Sequence, residues 1–391
     1  MVNISLFSQI ISLLPREKFK KLVREYGTDK YSKGINSWSH LVSMLFCQFG
    51  QAGSVRDISN GMRSITGNLN HLGVGKAPAK SSISYINQHR DWRLFRDFYY
   101  ELLGHFQSVH HFKQKGLPRL KKKIFLLDAT VIPLCLKIFD WAKYRSSKGA
   151  IKLHLLLDYQ GCLPVFVHMT EGKVHDKKVA DQLSLPTGSV VVFDRAYVDY
   201  KWLNNLDSNK VIFVTRAKTN MGFVEVESIP YDKKKYPNVL SDRKIRLKGK
   251  QSASKYAGTL RMVDYLDSIT GKRYRFLTNQ KDWNAQTVAD VYKERWHIEV
   301  FFKQLKQNLH IKSFVGTTEN AVQIQVWTAM ITMLILAFLK AKASFNWHLS
   351  NMVTFIRINL FVKIALMEWL NRPFYQRNEI ENVQQVPLFS G

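Results

Sequence analysis

Apolar residues recur at helical spacing in three stretches of the first 110 residues: 4–14, 38–49 and 92–106. Pro15, Gly34, Gly50, Gly53 and Pro78 punctuate them, so the pattern predicts an all-helical N-terminal region over 1–112. After the loop GKAPAK, Ser81 or Ser82 is placed to cap a further short helix leading to Arg90. From residue 124 the period changes. IFLLDAT (124–130) and SVVVFDRAY (189–197) are apolar runs that end on an acid. IKLHLLLDYQG (151–161) and CLPVFVHMTEG (162–172) read as two strands joined at the turn DYQG. Helices are expected over VHDKKVADQL and near 200–206, and a strand over 211–218. This order predicts an α/β fold with a mixed sheet.

Residues 219–280 carry short strand patterns such as KIRLKG (244–249) and RYRFLTN (273–279) between turn residues. Helical patterns follow over 286–308, 321–343 and 348–371, and the tail after Pro373 reads as poorly ordered. The expected divisions are 1–112, helical; 113–218, first part of the sheet core; 219–282, β-rich basic insertion; 283–345, second part of the core; and 346–391, C-terminal helices and tail.

The helix over 286–308 holds the most specific arrangement. At about 100° per residue, Tyr292, Arg295, Glu299 and Lys306 fall within an arc of roughly 60°. Val291, Ile298, Phe302 and Leu305 make an apolar stripe beside them, and Glu294 points away and reads as solvent-facing. A carboxylate flanked by phosphate-gripping groups suits metal-dependent chemistry on nucleic acid. An ordinary amphipathic helix with an i,i+4 Arg–Glu pair has the same spacing.

Charge sharpens the choice. Lys plus Arg number 58 against 30 Asp plus Glu, a formal net charge of +28, which points to a polyanionic partner. KQKGLPRLKKK (113–123) has six basic residues and no acid, and 216–275 has 15 basic against 6 acidic. Either stretch suits a phosphate backbone, and a solvated linker or face accounts for them as well. Lys143, Arg145, Lys148 and Lys152 follow the first strand acid and are open to the same two readings. Cys47, Cys135 and Cys162 form no CxxC pair, which excludes a thiolate zinc site and a disulfide framework. The N-terminus lacks a basic region and a cleavage site. The uncharged run 321–339 is long enough to span a membrane. Gln323, Gln325, Thr328 and Thr332 lower its hydropathy, so a buried core helix in a soluble, cytoplasmic protein is expected.

Two apolar strands ending in a lone acid, Asp128 and Asp194, place carboxylates where α/β sheets line their crevices. Each alone also fits a plain strand-end residue. With Glu299 they supply three oxygen donors suited to a pair of hard divalent ions. His154 alternates with Leu153 and Leu155 and reads as a cross-strand hydrogen-bonding group.

In this order, Asp128, Asp194 and Glu299 resemble the DDE triad of RNase H-like transposases. Tyr292, Arg295, Glu299 and Lys306 match the Tyr-x2-Arg-x3-Glu-x6-Lys signature of bacterial insertion-sequence transposases of family four, the hairpin-forming cut-and-paste group. DRAYVDY (194–200), HLLLDYQG, FLTN and GTTENAVQIQVW also look familiar from it, as does a basic β-rich insertion between second Asp and Glu. The resemblance implies an RNase H-like core with that insertion, and two Mg2+ ions (Mn2+ as substitute) held by Asp128, Asp194 and Glu299. It implies DNA phosphates gripped by Tyr292, Arg295 and Lys306. The activity implied is nicking at a transposon end, hairpin formation, hairpin hydrolysis and strand transfer. The implied partners are double-stranded transposon ends and target DNA, with a homodimer in a synaptic complex at the nucleoid and no membrane.

By the same analogy the N-terminal helices would bind terminal inverted repeats. Residues 38–49 and 54–62 fit a helix-turn-helix and equally a plain helical core, and Arg56, Arg63, Lys76, Lys80, Arg90 and Arg93 are its candidate basic contacts. Trp283, Trp296, Tyr274 and Phe276 are candidates to stack a flipped base. The competing functions are an RNase H-like nuclease or resolvase without strand transfer, a catalytically silent DNA-binding relic, and a membrane-associated basic protein.

Overall fold

The computed structural model describes residues 3–374 except 33, 66–68, 111, 113–116, 118–119, 136–137 and 146–147. Most of the basic linker 113–123 and the tail beyond 374 therefore lie outside the described residues, as do the side chains of Lys143, Arg145 and Lys148.

Six helices come first: α1 (Leu6–Ser12), α2 (Arg16–Tyr26), α3 (Ser37–Gly50), α4 (Val55–Ser64), α5 (Lys80–His89) and α6 (Arg93–Val109). Asn36 caps α3 and Ser54 caps α4, each side chain accepting a backbone N–H of the first turn. Neither Ser81 nor Ser82 caps α5: the helix begins at Lys80 after Ala79, which makes no side-chain cap. Strands β1 (Ile124–Leu134), β2 (Lys143–Arg145), β3 (Lys148–Asp158) and β4 (Leu163–Glu171) follow, then the single turn α7 (Lys177–Ala180), β5 (Val190–Phe193), α8 (Tyr200–Ser208) and β6 (Ile212–Arg216). The insertion adds β7 (Phe223–Ser228), β8 (Val239–Leu247), α9 (Lys250–Lys255), β9 (Leu260–Leu266) and β10 (Arg273–Thr278). The chain continues through α10 (Ala285–Lys293), α11 (Trp296–Asn308), α12 (Glu319–Lys342), α13 (Leu349–Ile358) and α14 (Leu366–Asn371).

All ten strands join one mixed sheet in the order β2-β3-β1-β5-β6-β10-β9-β8-β7, with β4 on β3. Only β1/β5 and β5/β6 are parallel; the other pairs are antiparallel. The basic insertion thus makes no sheet of its own. Its last strand, β10, pairs with β6 and extends the central sheet.

Alternation sorts the sheet's side chains into two layers. Ile124, Leu126, Val190, Val192 and Val214 face the larger core, built with α10, α11, α12 and the N-terminal helices. Phe125, Leu127, Val191, Phe193 and Phe213 face the smaller core, with Trp202 and Leu203 of α8 and Tyr256. The long apolar helix α12 lies within the larger core. Every side chain from Ala321 to Leu336 is buried, and the helix packs on α3, α5, α6 and α13. Three of its polar residues are satisfied there: Thr328 and Thr332 hydroxyls donate back to carbonyls one turn earlier, and Gln325 donates to the carbonyls of His310 and Ser313.

Candidate active site

Parallel pairing of β1 with β5 ends at the partners Leu127 and Phe193. The next residue in each chain segment is an aspartate, so Asp128 and Asp194 sit side by side where the β1–β5 pairing stops, on strands spaced about 4.8 Å apart. Asp128 does not end its strand. β1 runs on to Leu134 because β3 continues to pair with it, Asp128 opposite Leu155. Asp194 does end β5, and its Oδ1 accepts the Ala196 N–H to cap the turn that follows. By alternation both carboxylates lie on the face of Leu126 and Val192, the face covered by α10 and α11.

Glu299 sits in the first turn of α11, which packs on β1. The expected single helix over 286–308 is in fact two, because the chain turns at Glu294 and Arg295. Tyr292 therefore lies in the last turn of α10, Arg295 is the entry residue of α11, and Glu299 and Lys306 lie on α11. Glu294 is not solvent-facing: its Oε2 is 3.1 Å from His297 Nε2, and its charge, after burial, helps raise the Tyr159 phenol's pKa.

Arg295 joins the parts. Its Nη1 donates to Asp128 Oδ2 at 2.8 Å and its Nη2 to Glu299 Oε1 at 2.5 Å. Asp194 has its own guanidinium, Arg216 at the end of β6, with Nη2 donating to Oδ2 at 2.5 Å. Arg216 was not singled out in the sequence. Its register marks it, since Phe193 pairs with Thr215 and the next residues on the two strands are Asp194 and Arg216. Both guanidiniums lie near the Tyr292 ring, at 6.0 Å for Arg216 and 5.7 Å for Arg295. Lys306, two turns beyond Glu299, donates to the Val131 carbonyl of β1 at 2.9 Å.

The two aspartates differ electrostatically. Burial pushes Asp128 up to about 6; the Ala129 N–H and Arg295 oppose this, while the charges of Asp194 and Glu299 add to it. Burial also acts on Asp194, but Arg216, the Ala196 N–H and Arg295 hold it below the usual carboxylate range. Burial and the nearby Lys312 lower Lys306.

Three carboxylates with no thiol or imidazole among them offer the oxygen donors a hard divalent cation prefers. Asp128 is raised partly by the other two, so all three lie close enough to repel, and a bound cation would relieve that repulsion. The donor chemistry fits. Among the described residues no three Asp, Glu, His or Cys side chains are grouped closely enough to hold one ion, and the guanidiniums of Arg295 and Arg216 are paired with these carboxylates.

Residues 119–335 match the family profile described as the transposase DDE domain. The chain belongs to that transposase family. Membership implies DNA-cleaving and strand-transferring chemistry, and such domains generally use divalent metal ions. Residues 2–75 match a domain of unknown function (DUF4372). The transposase is 30% identical over 313 residues to a protein provisionally named transposase y4zB in Sinorhizobium fredii, covering 80% of this chain and 82% of that one. It is 32% identical over 241 residues to a probable transposase for insertion sequence element IS5377 in Geobacillus stearothermophilus, covering 61% of this chain and 63% of that protein. Among solved structures, a piggyBac transposase synaptic complex with hairpin DNA matches at 10% identity and a TM-score of 0.40. That match covers 96% of this chain and 81% of the other, a likeness too slight to carry weight.

Other residues singled out in the sequence fall elsewhere. His154 faces the opposite layer, where its Nε2 lies 3.0 Å from Thr170 Oγ1 on β4. Lys152 is engaged by Asp176 at 3.1 Å and by the Val174 carbonyl. Arg90 is buried and donates to the carbonyls of Ile35 and Asn36, so it holds the N-terminal helices together rather than offering a DNA contact. Arg56, Arg63, Lys76, Lys80 and Arg93 are exposed.

Proposed function

We propose that this transposase serves a bacterial insertion sequence of family four and acts at the nucleoid as a homodimer, moving its element by hairpin-forming cut-and-paste. The observation that carries this reading is the side-by-side placement of Asp128 and Asp194 just past the paired parallel stretch of β1 and β5, with Glu299 tied to Asp128 through Arg295. In it, 113–218 and 283–345 are the two parts of an RNase H-like core, 219–282 the inserted β-rich unit and 346–391 a C-terminal segment. Residues 1–112 bind the terminal inverted repeats.

Asp128, Asp194 and Glu299 would hold two Mg2+ ions, which would supply Lewis-acid activation of the attacking oxygen and charge stabilisation of the leaving one. Arg295, Tyr292 and Lys306 fix the phosphate at the end. A planar guanidinium matches the phosphate edge, and the buried Tyr292 hydroxyl makes no hydrogen bond of ordinary geometry within the protein. First, water attacks the phosphorus at the element's end and the 3′-oxygen leaves. That 3′-hydroxyl then attacks the phosphorus of the opposite strand, expelling the 3′-oxygen of the flanking DNA and closing a hairpin. A second water attacks the hairpin phosphorus and expels the element's 3′-oxygen, which as a free 3′-hydroxyl attacks a target phosphorus and expels a target 3′-oxygen. A cavity of about 320 Å3 beside Arg216 and Arg295, walled by Tyr265, Tyr274, Phe276 and Trp296, suits the base that a tight hairpin expels.

The test uses duplexes carrying the element's own ends in Mg2+. Asp128→Asn, Asp194→Asn and Glu299→Gln should each lower cleavage at least about a thousandfold while DNA binding in gel shift persists. The wild type should yield a double-length strand on denaturing gels. Cleavage retained in any of the three variants would overturn the assignment.

A further inference from the structure

Each carboxylate of the site is engaged by an arginine of this chain. Arg295 reaches across Asp128 and Glu299, and Arg216 engages Asp194. These guanidiniums take up carboxylate oxygens that the proposed function gives to cations. The inference below rests on that reading of the three acids.

Two observations show that the arginines are under-satisfied where they lie. The Nε of Arg216 and the Nε of Arg295 are both buried and make no hydrogen bond, although a guanidinium carries five donors. Both groups also flank one ring, Tyr292, whose buried hydroxyl makes no hydrogen bond of ordinary geometry. Buried donors of this kind gain from any acceptor that reaches them, and a phosphodiester offers two anionic oxygens in the geometry a guanidinium fork matches. Each arginine therefore has two competing anions: a carboxylate of its own chain, and DNA. Within the protein, a divalent cation at this site has the same carboxylates as its ligands. On these carboxylates it competes with the guanidiniums that donate into them, since like charges at that separation repel.

The geometry points to a cation exchange built into the active site. Arg216 and Arg295 act as resident counter-cations on Asp194, Asp128 and Glu299, and a DNA phosphate must draw them off before divalent cations load. Cation loading is thereby coupled to DNA binding, and by linkage each raises the other's affinity by the same factor. The two arginines are positioning residues in this role, acting through the carboxylates they release.

The experiment follows free Mn2+ by its electron paramagnetic resonance signal during titration of the full chain, first without DNA. The wild type should bind weakly. Arg295→Lys keeps the charge but cannot span two carboxylates, and it should bind Mn2+ at least tenfold more tightly; Arg216→Gln should show a similar gain. Short duplex DNA should bring the wild type to the variants' affinity, with Mn2+ bound by the DNA itself measured on the Asp128→Asn/Glu299→Gln chain. Thermal unfolding checks that each variant is folded, and if Arg295→Lys is not, Arg216→Gln decides alone. Variants that bind Mn2+ no more tightly than wild type without DNA would overturn the exchange and leave the acids' role standing. A gain that survives addition of Asp128→Asn and Glu299→Gln would overturn the acids' role as ligands, and the exchange with it.

Discussion

Arg295 and Asp128, 167 positions apart in the chain, are joined by a 2.8 Å hydrogen bond between Nη1 and Oδ2. The same guanidinium reaches Glu299, so one side chain closes the gap between strand β1 and helix α11. Both partners are largely buried. Arg295→Ala would leave two carboxylates facing each other with no cation between them, and removing one member of such a pair typically costs about 3–5 kcal/mol. Arg295→Ala with Asp128→Asn should cost less than the two single changes summed, by at least about 1 kcal/mol. Urea unfolding of the four proteins in a double-mutant cycle measures that difference, and strict additivity would show that the contact contributes nothing.

A second buried ion pair positions the preceding helix, α10, from further away. The side chains of Asp242 on β8 and Arg261 on β9 are each only 2% exposed and meet along one guanidinium edge, Nε donating to Oδ1 and Nη2 to Oδ2. Arg261 Nη1 also donates to the carbonyls of Gln280, Lys281 and Trp283, the segment that leads into α10 and Tyr292. Arg261→Ala strands a buried carboxylate and three carbonyls, so a loss of roughly 3–5 kcal/mol is expected. Arg261→Met with Asp242→Leu should recover most of it. Denaturant midpoints would show this, and a double variant as unstable as the single one would contradict it.

Much of this site was legible in the chain. The apolar runs ending at Asp128 and Asp194, and the spacing Tyr292, Arg295, Glu299, Lys306, identify the elements and most of the groups that meet. The break at Glu294 and Arg295 was not legible. Val291, Ile298, Phe302 and Leu305 are all buried and keep helical period across it, with no glycine or proline to mark it. Arg216 was not legible either, because its position beside Asp194 arises from strand order and register, which short-range patterning does not encode. The same holds for β10, whose pairing to β6 merges the insertion with the central sheet.

Two buried histidines set the response to acid. Burial, with the charge of Arg90, holds His40 down to about 3; burial, with Lys152 and His168, holds His154 to about 3. In the unfolded chain each takes its proton near 6.5, so the unfolded state binds more protons once the pH falls below that value. Stability should be intact above pH 6.5 and fall by about 1.4 kcal/mol per pH unit per histidine on the way to pH 3. Asp128 acts in the opposite sense: its folded pKa of about 6 exceeds the unfolded value, so its protonation returns part of the loss below pH 6. The net expectation is a loss of roughly 2 kcal/mol between pH 7 and 5.5. His40→Gln, which can still donate to Asn87 Oδ1, should remove about half of the histidine slope in urea titrations at the two pH values. An unchanged slope would show that His40 does not contribute.

Trp296 separates the aromatic cavity from the carboxylates in experiment. It is 62% exposed at the start of α11 and packs in neither core, so Trp296→Ala should change stability by no more than about 0.5 kcal/mol. Stacking of a base on an aromatic ring contributes about 1–3 kcal/mol, and an extrahelical base is required only once the hairpin forms. First-strand nicking by Trp296→Ala should therefore stay within about twofold of wild type, while hairpin formation from pre-nicked ends falls by roughly 5- to 100-fold. A 2-aminopurine at the terminal position should lose its hairpin-dependent fluorescence change in the variant. Equal loss of nicking and hairpin formation would place Trp296 in general DNA contact, and no loss of either would move the expelled base to Tyr265 or Tyr274.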